Sequence, residues 1–327
     1  MRHHEGAFRQ IHDILLERET REAVRITGEH IDQLNETGYV LVDDFLSPRE
    51  LAACQAEVGR YFPSCEEFLA DPQRHASLEK VISFPFAGEA LNEVTTHPEI
   101  MNFLERLYGT ADLRLGESAL QVKYGRRVAP GTDQFLHTDA WGKKSSLYPR
   151  EEGLFRQTFM IVYYCDVTAE LGPTRVLSWE HTRGMPLLAP GRHSVRRPED
   201  YPALYAQEEP ILARAGSLLV FTAATLHRGT AVSAQVGQRY AHFITYHAAA
   251  SSWMQSHPWP SGTRPHPDSD TMRRFVERAT PSQRALLGFP CPGHPYWNDE
   301  TIGGVAQRYP GMDTGPYKAA IGDAGSG

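Results

Sequence analysis

The sequence lacks the features that would assign it to several broad classes of protein. Its 327 residues include four cysteines, none in a CxxC pair, so neither a disulfide framework nor a thiolate zinc site is indicated. No apolar run approaches the roughly 18 residues of a membrane span, and no signal-peptide core follows the N-terminus. The net charge of −7 comes without long basic runs, which argues against a nucleic-acid partner. We therefore expect a globular cytoplasmic protein with neither a membrane nor a nucleic-acid partner, whose oligomeric state stays open.

The spacing of apolar residues changes along the chain and predicts three regions. Residues 1–35 are predicted to be an N-terminal helical extension, because apolar residues recur there at helical spacing among many charges. Residues 36–250 carry helix signals at Ser47-Pro48 and over 98–108, followed by short strands separated by turns. Residues 251–327 are rich in proline and short helix signals, and we expect them to pack on the central region. The pattern is mainly β, a barrel with flanking α-helices.

Strand signals in the central region predict which side chains share a face. Residues from Leu115 to Tyr124 alternate, so Gln121 and Lys123 are expected on one face together with Leu115. The run from Thr158 to Cys165 is apolar on both faces, as in a central strand. Residues 186–203 show little periodicity and are predicted to be a long loop, which in a compact domain is usually functional or mobile.

One stretch, Gln134 to Asp139, carries metal-binding chemistry. In a strand, His137 and Asp139 point to the same face and Thr138 points away. His227 lies 88 residues after Asp139 (227 − 139) and follows an apolar strand, which suits a ligand from a neighbouring strand. Two imidazoles and one carboxylate are the ligand set of a mononuclear non-haem iron site. An HxD pair also occurs by chance, so a surface histidine beside a solvated aspartate is the alternative interpretation.

Arg239 provides a second signal, because it begins another apolar strand 12 residues after His227 (239 − 227). An inward-pointing guanidinium needs an anionic partner and binds carboxylates in bidentate geometry. An acidic cosubstrate would supply that partner. Gln121 and Lys123 could bond to the same cosubstrate if their face lines the barrel; otherwise both lie on a solvated face.

Together these residues resemble the motifs of the phytanoyl-CoA dioxygenase family. The resemblance covers roughly residues 36–248 and rests on His137-Thr138-Asp139, the stretch Leu171–Leu177, His227-Arg228-Gly229 and Arg239-Tyr240. It implies a double-stranded β-helix, a jelly-roll or cupin-like barrel. It also implies Fe(II) bound by His137, Asp139 and His227, with the far carboxylate of 2-oxoglutarate held by Arg239. The implied activity is a dioxygenase that uses O2 to hydroxylate or otherwise oxidise a C–H bond of a small molecule. Succinate and CO2 would be released, and ascorbate is a candidate stimulant.

Further pocket residues are predicted from their positions in the strands, including the strand of Thr174 and Arg175 that resembles the family. Gln121, Lys123 and Thr174 are candidates for binding 2-oxoglutarate, with Arg175 as the alternative to Thr174 on its strand. Trp141, just past Asp139, is a candidate for the substrate pocket or for simple packing. Arg192, in the long loop with Arg196 and Arg197, could bind an anionic substrate, although a solvated basic loop is the preferred interpretation.

Two other functions stay open at this point. One is a non-catalytic barrel that senses a ligand or a metal, which would form no succinate from 2-oxoglutarate with Fe(II) and ascorbate. The other is a metal-dependent cupin-like enzyme that does not use 2-oxoglutarate, for which an Arg239→Ala variant would keep full activity.

Overall fold

The computed structural model describes residues 25–139, 153, 156–186, 194–251, 269–294 and 296–323. The predicted helix near the N-terminus, Trp141 and Arg192 lie outside these residues. Ahead of the main strands come helices at Gly28–Thr37 (α1), Pro48–Tyr61 (α2), Cys65–Ala70 (α3), Ala90–Thr95 (α4) and Pro98–Tyr108 (α5). Later helices are Trp179–Thr182 (α6), Pro202–Gln207 (α7), Ser269–Arg278 (α8), Pro281–Leu286 (α9), Asp299–Arg308 (α10) and Gly315–Asp323 (α11). No described helix is long and apolar enough to cross a membrane.

The described strands form two antiparallel sheets, as in a jelly roll. The larger sheet has the order β1-β9-β5-β11-β3-β2. Its strands are Tyr39–Val42 (β1), Val81–Ser83 (β2), Leu113–Tyr124 (β3), Gln157–Tyr163 (β5), Leu218–Thr222 (β9) and Gln238–Ala248 (β11). The smaller sheet has the order β7-β4-β10-β6-β8. Its strands are Leu136–His137 (β4), Thr174–Val176 (β6), Val195–Arg196 (β7), Glu209–Pro210 (β8) and His227–Gly229 (β10).

The core lies in two layers around the larger sheet. Between the sheets, Phe159, Ile161 and Phe221 pack with Val176 of the smaller sheet. On its other face, the larger sheet packs under the helices in one extended apolar cluster. Helices α8 to α11 join that cluster through Met272, Val276, Leu286, Ile302 and Tyr317. The inner layer, lined from both sheets, is where a ligand site can form.

Local sequence signals predicted several elements correctly. In α2 the hydroxyl of Ser47 accepts from the backbone N–H of Glu50 at 3.3 Å, and the Glu50 carboxylate accepts from the backbone N–H of Ser47 at 2.7 Å. This reciprocal capping box starts the helix. Helix α5 spans the predicted residues and ends at Gly109, whose φ of +72° gives the left-handed cap. Strand β5 is buried along its whole length, as predicted for a central strand.

Two predictions were wrong: the face of Leu115 in β3, and the absence of a strand from residues 186–203. Both errors have a physical cause. The alternation of β3 breaks at a bulge, because Glu117 pairs with Thr245 whereas Leu115 already pairs with Tyr246. Leu115 therefore turns to the helix-covered face, away from Gln121 and Lys123. The predicted loop 186–203 contains β7, which pairs with β4. Arg196 in β7 is only 1% exposed and donates to the backbone carbonyl of Pro186 at 2.6 Å, so it is not a solvated loop residue.

Candidate metal centre and adjoining cavity

Three predicted ligands converge on one point between the sheets. The Nε2 atom of His137 lies 3.8 Å from one carboxylate oxygen of Asp139, and the Nε2 atom of His227 lies 3.5 Å from the other. One ligand atom from each residue falls within 4.8 Å of the others. Among the residues that the structure describes, these three side chains form the group of histidines and carboxylates whose spacing suits a metal ion.

Strand pairing produces this convergence. His137 ends β4 and His227 begins β10, and the two residues are antiparallel register partners. Their rings lie 4.6 Å apart between centroids. Asp139 follows two residues after His137, whereas the buried Thr138 turns to a separate cavity with Trp179 and Leu226. The prediction that Thr138 points away from the cluster is therefore confirmed.

Hydrogen bonds orient both imidazoles toward the cluster. The Nδ1 atom of His137 lies 2.8 Å from the carbonyl oxygen of Phe135, and that of His227 lies 3.0 Å from the carbonyl oxygen of Thr225. A carbonyl only accepts, so each Nδ1 donates, and in the neutral imidazole this tautomer leaves the lone pair on Nε2. This outer bond is the usual device for holding a histidine ligand in one tautomer and orientation.

Residues beside the ligands hold β4 and β10 together. Arg228, next to His227, donates to both oxygens of Glu208 at 2.7 Å and to Asp133 at 2.6 Å. The side chain of Gln134 accepts from the backbone N–H of Gly229 at 2.8 Å. Charge-assisted bidentate pairs of this kind restrict geometry as well as adding stability. These bonds fasten β10 to the residues that precede β4, next to the cluster.

A cavity of about 200 Å³ adjoins the three ligands. Its apolar lining includes Phe159, Phe221 and Phe243. The Phe221 ring stacks on Phe159 at 5.5 Å and lies 4.6 Å from the His227 ring, which joins the wall to the ligand cluster. The cavity is therefore apolar on the side next to His227.

The same cavity contains two basic residues whose positive charges are not paired with a carboxylate of the described residues. Arg239 and Lys123 are register partners on β11 and β3. Arg239 is 3% exposed and donates to the carbonyl of Gly172, while its Nε atom has no partner among the described residues. Lys123 donates to the carbonyl of Thr230 at 2.8 Å. Among the residues described, neither forms an ion pair with a carboxylate.

Burial weakens the charged forms of both groups, and the charge of Arg239 further weakens that of Lys123. Desolvation lowers the pKa of Arg239. Desolvation first, and then the charge of Arg239, lower the pKa of Lys123 to about 8. Two cations held together in a partly dry cavity are costly unless an anion joins them. The arrangement therefore favours an anionic ligand at this end.

The other predicted pocket residues of β3 and β6 also line the cavity. Gln121 is half-buried, and Thr174 is buried with its hydroxyl accepting from Tyr163 at 3.1 Å. Arg175 points the other way and pairs with Glu208 at 3.3 Å, so Thr174 is the residue of this pair that faces inward. Sequence reasoning did not select Gln134 or Thr245, although both line the cavity. The strand parity of β11 relative to Arg239 could have identified Thr245.

The donor set fits a divalent metal of the iron group. Neutral imidazoles and a carboxylate suit such ions, and the described residues around the cluster include no thiolate. Three protein ligands on one side leave further coordination positions for a cosubstrate and a reactant.

A sequence comparison assigns most of the chain to one known family. A model of the phytanoyl-CoA dioxygenase family matches residues 34–239, which is more than half of the chain. No curated protein sequence matches significantly.

Solved structures show a similar fold. EctD from S. alaskensis, crystallised with 2-oxoglutarate and 5-hydroxyectoine, is 18% identical, with a TM-score of 0.52 over 71% of this chain and 79% of that one. HygX from Streptomyces hygroscopicus with iron bound is 15% identical, with a TM-score of 0.50 over 68% of this chain and 87% of that one. At these identities the likeness concerns the fold alone.

Proposed function

Because the chain belongs to the phytanoyl-CoA dioxygenase family of Fe(II)- and 2-oxoglutarate-dependent oxygenases, we propose that it hydroxylates a C–H bond of a small-molecule substrate. Decarboxylation of 2-oxoglutarate to succinate and CO2 would drive this oxidation. The observation that carries this proposal is a single cavity with the His137–Asp139–His227 cluster on one side and two basic residues, the buried Arg239 and the half-buried Lys123, on the other. A dicarboxylate that chelates a metal through one end and offers its other carboxylate to the basic residues would satisfy both sides of the cavity.

Each residue has a distinct task in this proposal. His137, Asp139 and His227 would hold Fe(II), which with dioxygen supplies the oxidising chemistry when bound. Arg239 would bind the far carboxylate of 2-oxoglutarate, and Lys123 would lower the electrostatic cost of burying it.

The remaining lining residues would orient and shield the cosubstrate. Gln121 and Thr174 offer polar groups on the cavity wall between the two ends. Phe159 and Phe221 keep water from the ligand side, which strengthens electrostatic interactions within the cavity. Trp141 and Arg192 stay candidates for substrate contacts.

The proposal is tested by metal binding and by cosubstrate turnover. The purified protein should bind one Fe(II) and convert 2-oxoglutarate to succinate, slowly alone and faster with a true substrate. Asp139→Ala should lose tight Fe(II) binding, since the two imidazoles carry no compensating charge. Asp44→Asn is the control, because Asp44 is an exposed carboxylate paired with Arg214 on the surface and asparagine tolerates its positive φ of 50°.

The possible outcomes separate the competing functions. Succinate formation that is lost with Asp139 and kept with the control supports the oxygenase. Iron binding without any binding of 2-oxoglutarate would instead indicate a metal-dependent cupin-like enzyme. Binding of both without turnover, whatever small molecules are supplied, would indicate a sensor.

A further inference from the structure

Two buried polar side chains on the larger sheet have atoms with no hydrogen-bond partner in the described structure. Gln157 is 1% exposed, and neither Oε1 nor Nε2 of its amide is bonded. His247 is 3% exposed, and its Nε2 atom is likewise unbonded. A buried polar group left without a partner costs free energy and is rare in folded proteins. Two of them together point to a ligand that supplies the missing bonds.

Strand register brings the two side chains to the same place. Gln157 and His247 are antiparallel partners on β5 and β11. Opposite side chains in such a pair have Cβ atoms about 4.5–5.5 Å apart. The side chains of the adjacent pair, Thr158 and Tyr246, point to the helix side. The Thr158 hydroxyl accepts from the Tyr108 hydroxyl at 2.6 Å, and the Tyr246 hydroxyl donates to the backbone carbonyl of Thr95 in α4 at 2.6 Å. By alternation, Gln157 and His247 lie on the inner face.

The strand register also defines where Gln157 and His247 lie relative to the candidate site. The preceding inner row on these strands is Phe159 and Thr245, which are register partners and line the cavity. One inner row on a strand advances about 7 Å. Gln157 and His247 therefore lie one row beyond that part of the wall, on the side opposite Arg239. With 2-oxoglutarate directed toward Arg239, this is the side left for a substrate.

The hydrogen-bonding character of the pair limits what it can bind. The Nδ1 atom of His247 lies 2.9 Å from the carbonyl of Ala248, so it donates and leaves Nε2 as an acceptor. Burial also lowers the pKa of His247, which favours this neutral form. Gln157 supplies one donor group and one acceptor. A carboxylate cannot donate to His247, and an ammonium cannot accept from Gln157.

We propose that Gln157 and His247 form a substrate subsite that recognises uncharged hydroxyl groups. One hydroxyl can donate to Nε2 of His247 while accepting from Nε2 of Gln157. A neighbouring hydroxyl can donate to Oε1 of Gln157, so a vicinal diol satisfies all three atoms. This subsite rests on the proposed oxygenase function and narrows its substrate class to hydroxylated small molecules.

The test uses three small probes of matched size. The protein loaded with Fe(II) and 2-oxoglutarate, without oxygen, is titrated by calorimetry with cis-1,2-cyclohexanediol, cyclohexanecarboxylate or cyclohexylammonium. Of the three probes, the diol should bind the wild type most tightly. Binding should weaken at least tenfold in Gln157→Leu and in His247→Phe. The control Gln207→Leu changes an exposed residue of α7 and should bind like the wild type.

A second measurement separates recognition from a structural role. Gln157→Leu should raise the melting temperature of the ligand-free protein, because it removes two unbonded buried atoms. A structural role predicts a lower melting temperature. Absorbance of the Fe(II)–2-oxoglutarate complex, recorded on every variant, reads out the proposed function independently of probe binding.

The proposal is overturned by any of three results. These are tighter binding of the carboxylate or the ammonium, equal binding of the diol by wild type and variants, or no binding of any probe by a wild type that binds 2-oxoglutarate. Loss of the 2-oxoglutarate complex in the wild type would contradict the oxygenase function instead.

Discussion

Replacing Arg239 by methionine should weaken 2-oxoglutarate binding without destabilising the ligand-free protein. Methionine keeps a long, flexible apolar side chain in the space of the buried arginine. The substitution removes the guanidinium that we propose to bind the far carboxylate. Lys123 remains as the neighbouring cation on β3.

The expected magnitudes follow from the burial of Arg239. Truncating one partner of a buried, hydrogen-bonded charge pair costs about 2–5 kcal/mol. At about 1.4 kcal/mol for each tenfold change, this weakens binding by roughly 30- to 4,000-fold. In the ligand-free protein, removing the buried guanidinium with its unbonded Nε atom should stabilise the fold by about 1–3 kcal/mol. Losing its hydrogen bond to the Gly172 carbonyl should cost about 1 kcal/mol. The unfolding free energy should therefore stay equal or rise by up to about 2 kcal/mol.

Two measurements check this prediction. The Kd of 2-oxoglutarate is measured anaerobically from the absorbance of the Fe(II) complex, and the free energy of unfolding is measured with urea. Arg214→Met serves as the control, because Arg214 is exposed and pairs with Asp44 at 2.6 Å on the surface. It should leave both quantities near their wild-type values.

Either of two results would refute the reasoning. If Arg239→Met binds 2-oxoglutarate within about threefold of the wild type, less than the 1.4 kcal/mol of a tenfold change, Arg239 does not anchor the cosubstrate. A large loss of stability in the ligand-free variant would show instead that the arginine is a structural residue already satisfied by its surroundings.

Two further predictions concern stability. Burial lowers the pKa of His242 to about 3, below its ordinary 6.5, so between these pH values the unfolded chain takes up a proton that the folded protein does not. The free energy of unfolding should therefore fall as the pH drops from 6.5 toward 3, by up to about 1.4 kcal/mol per pH unit. Urea unfolding of His242→Gln should show a shallower decline with pH. Gly172→Ala should destabilise the protein by roughly 1–3 kcal/mol in thermal unfolding, because φ is +68° and a Cβ would lie 2.8 Å from the carbonyl oxygen of Thr230. It should also weaken 2-oxoglutarate binding, since the Gly172 carbonyl accepts from Arg239; unchanged melting and binding would contradict this.

Local signals predicted the parts of the fold that depend on short stretches of chain. Capping residues such as Ser47 and the left-handed Gly109 act within one helical turn, so their effect is visible in sequence. The HxD spacing likewise predicted that Thr138 would turn away from the cluster, because strand side chains alternate.

The errors arose where pairing between distant strands overrides a local pattern. The bulge in β3 depends on its register with β11, and it reversed the face of Leu115. The burial of Arg196 depends on β7 pairing with β4, which no periodicity in residues 186–203 indicated. His247 was given no role from sequence spacing, because its significance depends on lying opposite Gln157.

The sequence by itself determined the chemistry of the candidate centre. It contains two histidines, a carboxylate and an arginine on strand-like segments, and residue identity decides what each group can bind. Only the tertiary structure decided which groups meet. Pairing of β4 with β10 joins residues about 90 positions apart, and pairing of β3 with β11 brings Lys123 beside Arg239. These contacts depend on register and burial across the whole barrel, which no local run of residues encodes.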